Sequence, residues 1–289
     1  MSNNTTHIVC FSGGHSSALA AIEVHRKFGK EDNVILLNHD INPNYEDADI
    51  KRFKNAIAAY LGINITYANM NEVNDGSEIP SQFKVCIDSG TMTDYKGNAI
   101  CTARLKTEPF YDFLKKNYPP LGNLFYKPVL IYYGFDAKEK DRMIRRTSIL
   151  GAMGYKTDYP LVWNNRTIHS TNEIGIVKPL TYDVYEHANC KGCLKASLLH
   201  WYVVYVHHRF IYQEAIEMEE KLDFTIHTVT RNKIKTPISL IELAPIFEQF
   251  IKDGITATEH QSKKLFAQKI RKYQIEESDS IRKPCMCSF

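Results

Sequence analysis

The apolar run His7-Ile8-Val9-Cys10-Phe11 passes directly into Ser12-Gly13-Gly14-His15-Ser16-Ser17 and then into Ala18-Leu19-Ala20-Ala21-Ile22. Strand, loop of small residues, helix: that order constrains the fold more than any other stretch. Two glycines let the main chain approach a ligand closely. The serines add hydroxyl donors, and the helix N-terminus offers free N–H groups and the positive end of its dipole to an anion. The simpler alternative is a strand-to-helix turn with a serine cap.

The pattern repeats through the first half. Residues 7–11, 33–38, 63–68 and 128–134 read as strands, and 15–28, 46–61, 107–118 and 137–153 as helices. In the second helix Ile50, Phe53, Ala56, Ile57, Tyr60 and Leu61 recur at helical spacing. The alternation predicts an α/β fold, an open parallel sheet flanked by helices. Ligands of such sheets bind beyond the carboxyl ends of the strands, where the Ser12 loop, Asp40 and Gly134-Phe135-Asp136 are expected to meet. Residues 71–100 are polar, with Gly76, Pro80, Gly90 and Gly97, and read as an active-site loop or lid rather than core. After Tyr159-Pro160-Leu161 the character changes. A long helix is expected over 194–221, another over 238–252, and a basic one over 258–273 carrying Lys263, Lys264, Lys269, Arg271 and Lys272. The expected division is a sheet domain over 1–165 and a mostly helical, cysteine-containing region over 166–289.

A chain of 289 residues can bury a full core. No apolar run reaches membrane-spanning length, and Met1-Ser2-Asn3-Asn4 lacks the pattern of a signal peptide, so the expected location is the cytoplasm. The net charge of +3 does not by itself demand a nucleic acid. Seven cysteines in such a setting point to metal, cluster or redox chemistry where they pair closely. They do so at Cys190-Lys191-Gly192-Cys193 and Cys285-Met286-Cys287. Together these give four thiolates, the number that a tetrahedral zinc or a [4Fe–4S] cluster takes. A shared site would pin the C-terminal tail; unrelated free thiols and a redox-active tail are the alternatives. Of His187, His200, His207 and His208, only His187 reads as a substitute ligand. Cys10 reads as a small core residue, and Cys86 and Cys101 stay open.

The Ser12 loop lacks the Lys-Ser/Thr ending of a Walker A motif. It resembles the PP-loop, the Ser-Gly-Gly-x-x-Ser signature of the ATP pyrophosphatase, or adenine nucleotide α-hydrolase-like, superfamily. Cys101-Thr102-Ala103-Arg104-Leu105-Lys106 resembles the Cys-Thr-x-x-x-Lys segment of the phosphoadenosine phosphosulfate (PAPS) reductase branch. The segment Gly134 to Arg142 resembles that branch's Gly-x-x-x-x-Glu-x-x-Arg, with Tyr159-Pro160-Leu161 following. The resemblance covers about 6–165, and the cysteine-rich second half is similar to phage- and bacterium-encoded members.

The resemblance implies a nucleotide-binding domain over 1–165. It implies ATP or a PAPS-like adenine nucleotide, with Mg²⁺, on Ser12, Gly13, Gly14, His15, Ser16, Ser17, Asp40, Gly134 and Asp136. Lys106, Arg142 and Ser17 are the implied catalytic residues, with Arg145 and Arg146 as further cations. The implied chemistry is adenylation of a substrate, sulfur transfer, or both, with a nucleobase of tRNA or DNA as an acceptor that the basic helix would face. Ser16 stands where many PP-loops have Asp, which bears on ATP cleavage rather than on binding. Neither a Glu-Cys-Gly-x-His tail nor an adjacent Cys-Cys pair occurs, which disfavours assimilatory sulfate reduction. A thiol-dependent sulfonucleotide reductase using Cys285 or Cys287 and a non-catalytic nucleotide-binding protein remain the alternatives, and a homo-oligomer is left open.

Overall fold

A computed structural model describes residues 5–119, 129–231, 234–272 and 283–284. The chain forms two compact units. The first comprises 1–40, 48–74 and 108–181, the second 41–47, 75–107 and 182–289.

The first unit is built on five parallel strands: β1 (Thr6–Cys10), β2 (Asn33–Asn38), β3 (Ile65–Tyr67), β4 (Val129–Tyr132) and β5 (Lys156–Asp158). They lie in the order β3-β2-β1-β4-β5. Val9 pairs with Leu36 on one side and Tyr132 on the other. Successive strand residues point to opposite faces. Val9, Leu36 and Tyr132 therefore pack with α1 (His15–Phe28) and α2 (Ala48–Leu61), through Ile22, Phe53 and Ile57. Ile8, Leu37 and Ile131 pack with α5 (Glu108–Asn117) and α6 (Lys140–Ala152), through Phe110, Leu114 and Leu150. Both faces of the sheet are covered, as a parallel sheet requires. The strand β5 had no counterpart in the sequence reading.

The second unit is mostly helical. It contains α3 (Gln82–Ser89), the single turn α4 (Ile100–Thr102), α7 (Leu198–His207), α8 (Arg209–Leu222), α9 (Leu240–Lys252) and α10 (Lys263–Lys272). Its strands are β6 (Phe224–Thr225), β7 (His227–Arg231), β8 (Ile234–Ile238) and β9 (Lys283–Pro284). The pair β7–β8 is antiparallel.

Two expectations need correction. Residues 71–100 are not simply a polar loop. Ser81 caps α3 by accepting from the Lys84 N–H at 3.0 Å, Gly90 closes it at φ 64°, and Phe83, Val85 and Cys86 are buried in the second unit's core. The helix expected over 194–221 is two helices. His208, at φ −140° and ψ 59°, interrupts it. The break brings the rings of Tyr205 and Tyr212 edge to face at 4.7 Å. It also separates α7, buried nearly all round, from the amphipathic α8.

Candidate functional site

The strand order reverses at β1, between its neighbours β2 and β4, and the Ser12–Ser17 loop leaves the carboxyl end of β1 at that switch point. Gly13 turns the chain at φ 82°, a conformation that favours glycine. A Cβ there would also lie 2.8 to 2.9 Å from side-chain atoms of Lys54 and Ile50. Gly14 is extended and caps α1 without a side-chain hydrogen bond, so the serine-cap alternative does not describe this turn. The Ser17 hydroxyl donates to the Gly14 carbonyl at 2.8 Å and accepts from Ser12 Oγ at 3.3 Å. Ser17 is buried in the turn, whereas Ser12 and Ser16 are exposed. Gly134, just past β4, abuts α1: a Cβ there would meet the Ser16 carbonyl oxygen at 2.6 Å.

Asp40, two residues past β2, has Lys51 Nζ at 3.5 Å and Lys54 Nζ at 4.0 Å from its carboxylate. Lys54 was missed from sequence, although it stands on the stripe of Ile50, Ile57 and Leu61; it is 1 % exposed. Asp136 accepts from the Lys138 N–H at 2.8 Å and caps the turn Ala137–Glu139. Arg142 is exposed, ion-paired with Glu139, and lies 4.2 Å over the Phe135 ring, while Arg146 stands 5.8 Å from the Tyr133 ring. Burial, helped by the charges of Lys178 and Arg166, pushes the His15 pKa down to about 4. Its Nε2 accepts from the Thr171 N–H at 3.3 Å. His15 is therefore neutral at pH 7, and Lys178 and Arg166 are the cations beside it. Glu23 on α1 fixes this neighbourhood by accepting from the N–H groups of Thr167 at 2.6 Å and Ile168 at 2.9 Å.

Buried polar atoms are rarely left without partners. Asn38 Oδ1, Arg166 Nε and Thr171 Oγ1 are so left. Each adjoins the loop: Asn38 donates to the Phe11 carbonyl, Thr171 donates to His15, and Arg166 acts on His15.

The second unit carries Cys86, Cys101, Cys190 and Cys193, whereas Cys10 lies on β1 in the first. Gly192 turns at φ 70°, where a Cβ would lie 2.7 Å from Ile211 Cγ2. Gln82 Nε2 donates to the Lys191 carbonyl at 2.8 Å, and the Lys191 N–H donates to the Tyr45 carbonyl at 2.8 Å. This clamped turn sets the Cys190 thiol to donate to Cys193. That bond lowers the Cys193 pKa, with help from the Lys195 N–H, and raises that of Cys190. Cys101, on α4, is near enough that its charge and that of Cys193 interact, and Lys106 acts on all three sulfurs. Lys106 thus belongs with the thiols in the second unit, and the Ser12 loop belongs to the first. Cys86 is a fully buried core residue. Cys285 and Cys287 lie outside the described residues.

Beside Cys193 stands a second polar group. His200 Nδ1 is 2.7 Å from Glu259 Oε1, and His187 Nε2 is 3.3 Å from Glu259 Oε2. The ligand atoms of His187, His200 and Glu259 all lie within 4.8 Å of one another, so the cluster can in principle coordinate a metal ion. His200 and Glu259 are each 1 % exposed. Burial raises the Glu259 pKa, but bonds from His187, His200 and the Glu186 N–H more than offset this and hold it well below the usual carboxylate range. Fifty-nine positions separate His200 from Glu259, and no local pattern in the sequence links them.

These features define an α/β protein with a five-stranded parallel sheet flanked by helices and a mostly helical, cysteine-bearing C-terminal region. No family model matches the chain, and no curated protein matches it. Among the described residues no helix is long and apolar enough to cross a membrane.

Proposed function

We propose that the protein is a PP-loop, PAPS reductase-like enzyme that binds an adenine nucleotide on the first unit and carries a thiol-ligated metal centre on the second. The observation that carries the reading is the Ser12–Ser17 loop: an uncapped helix N-terminus at the switch point, flanked by three buried polar atoms without partners. Such a terminus suits a phosphate, and Lys178 and Arg166 supply the nearby positive charge. The nucleotide would be ATP or a PAPS-like molecule, with Mg²⁺ on its phosphates. The reaction would be adenylation of an acceptor oxygen with release of pyrophosphate, sulfur transfer, or both, on an acceptor such as a nucleobase of tRNA or DNA. Cys101, Cys190 and Cys193 would hold zinc or an iron–sulfur cluster, whose chemistry when bound would be structural for zinc and sulfur- or electron-handling for the cluster. Thiolates are the donors that either group takes. Cys285 and Cys287 remain proposed partners.

The second reading is a thiol-dependent sulfonucleotide reductase. The Cys190-to-Cys193 hydrogen bond favours it, because it prepares one sulfur as thiolate and the other as resolving thiol. Calorimetric titration with ATP and with PAPS, followed by assays for pyrophosphate and sulfite, separates these readings. Pyrophosphate release supports the first and sulfite release the second. Tight binding without turnover leaves a nucleotide-binding protein. The expected control is that Gly14→Val abolishes binding while the fold is kept. Unchanged affinity in that variant overturns the PP-loop reading.

A further inference from the structure

Three stretches of the second unit meet at one carboxylate. Glu259 lies between α9 and α10, His200 on the first turn of α7, and His187 in the irregular chain before α7. Bonds that do not involve these three side chains hold the stretches together. Tyr202 Oη and His207 Nε2, both on α7, donate to the carbonyls of Ile255 at 2.6 Å and Ala257 at 3.1 Å. The Glu259 N–H and the Thr258 hydroxyl donate to the Val184 carbonyl at 2.8 and 3.1 Å. The backbone around the three side chains therefore sets their positions, as a metal site requires before it is filled.

His200 Nδ1 stands 2.7 Å from Glu259 Oε1 and His187 Nε2 stands 3.3 Å from Glu259 Oε2; one ligand atom from each residue falls within 4.8 Å of the other two. Zinc bonds nitrogen and carboxylate oxygen at about 2.0–2.2 Å, which spaces tetrahedral ligand atoms roughly 3.4 Å apart. Shifts of less than about 1 Å per side chain close the difference. The Glu186 N–H, donating to Oε2 at 2.9 Å, braces the carboxylate. His200 and Glu259 are 1 % exposed and His187 is 29 % exposed, so the cluster opens to solvent beside His187. One contact opposes a metal: the Asn189 N–H lies 3.3 Å from His187 Nδ1 and must turn away when a metal on Nε2 leaves the ring proton there. Tyr185 separates a metal site from a hydrogen-bonded strut. Its hydroxyl is buried without a partner among the described residues, and its ring lies 5.5 Å from that of His200 and 6.3 Å from that of His187. A strut of two histidines and a glutamate leaves that hydroxyl unmet, whereas water on a metal gives it a partner.

We propose that His187 Nε2, His200 Nδ1 and the Glu259 carboxylate hold a divalent metal ion of the zinc type, with water in the fourth position on the side of His187. Two imidazoles and one carboxylate are a donor set that zinc takes where it keeps a position open. The ion would tie α7, the chain before it and the connection between α9 and α10 together at a point that solvent reaches. This centre is separate from the thiols, and it stands or falls independently of the nucleotide and thiol readings above.

The test uses the full chain, stripped of metal, labelled with ¹⁵N-histidine and titrated with zinc while NMR follows the ring nitrogens. The variants His187→Gln and His200→Gln assign the two rings. The expected result is that the rings of His187 and His200 shift together, along one saturation curve, and that the Asn189 amide shifts with them. His187→Gln, at the exposed edge of the cluster, should keep the fold and weaken the zinc response of His200 at least about tenfold. If neither ring responds to zinc, or only one does, the proposal is overturned, whatever the thiols bind. A His200 response of unchanged affinity in His187→Gln also overturns it. Because the rings themselves are observed, zinc held by sulfur alone leaves them unmoved and is told apart from zinc at this site.

Discussion

Adding one methyl group at Gly134 should damage the loop more than any surface change nearby. The Cβ of Gly134→Ala would fall 2.6 Å from the Ser16 carbonyl oxygen, 2.7 Å from its carbon and 2.8 Å from the Ser17 nitrogen. Ordinary contact begins near 3.4 Å, so β4 and the first turn of α1 must part by about 0.8 Å. All three atoms are main chain, and no rotamer change relieves the clash. Overpacking of this kind costs about 1–3 kcal/mol. Because the displaced atoms belong to the proposed phosphate cradle, ATP affinity should also fall by at least about tenfold, or ~1.4 kcal/mol. Gly151, within α6, is the matched control: a Cβ there meets nothing within 4 Å. Gly151→Ala should be neutral or stabilise by about 0.5–1 kcal/mol. Hydrogen exchange over the β1 and β4 peptides in increasing urea gives the stability of the sheet unit, and calorimetry gives the affinity. A Gly134→Ala protein with the wild-type midpoint and the wild-type affinity would refute the reasoning.

Two further outcomes are expected. The His15 ring should titrate near pH 4 in the folded protein, below the ordinary 6.5. The native state then binds fewer protons than the unfolded one between those values, so stability should rise with pH across that window and level off above it. An NMR midpoint near 6.5 contradicts this. Glu23→Gln leaves one acceptor oxygen where the carboxylate took three bonds from Thr167 and Ile168. It should cost about 1–3 kcal/mol and speed exchange at Thr167 and Ile168, whereas an unchanged melting temperature would show that this anchor carries no weight.

The sheet was legible because period-two and period-3.6 patterns alternate along 7–61 without competing signals. The segment 81–90 was misread because its few apolar residues, Phe83, Val85 and Cys86, sit among Gly and Pro that score as loop. Their burial depends on partners far along the chain, such as Trp201 and Tyr212. The break at His208 carried no proline or glycine to announce it. In the candidate sites the legible parts were those encoded locally, the Ser12 loop and the Cys190 turn. Cys101 was seen as a lone cysteine, because only the fold brings it to Cys193. Lys54 reads as a charge on a helix until its stem is found beneath Gly13.

The two compact units are interleaved along the chain, which passes from one to the other five times, after residues 40, 47, 74, 107 and 181. Neither unit can therefore be cut out as one continuous piece. A break at 165 would strand 41–47 and 75–107 on a fragment lacking α7 and α8, leaving Tyr45, Phe83 and Cys86 with no core to enter. It would also separate Cys101 from Cys190 and Cys193. Ribosomal synthesis meets the same constraint in time: the second unit cannot close until most of the chain has emerged, so its segments 41–47 and 75–107 must wait for residues 182 onward.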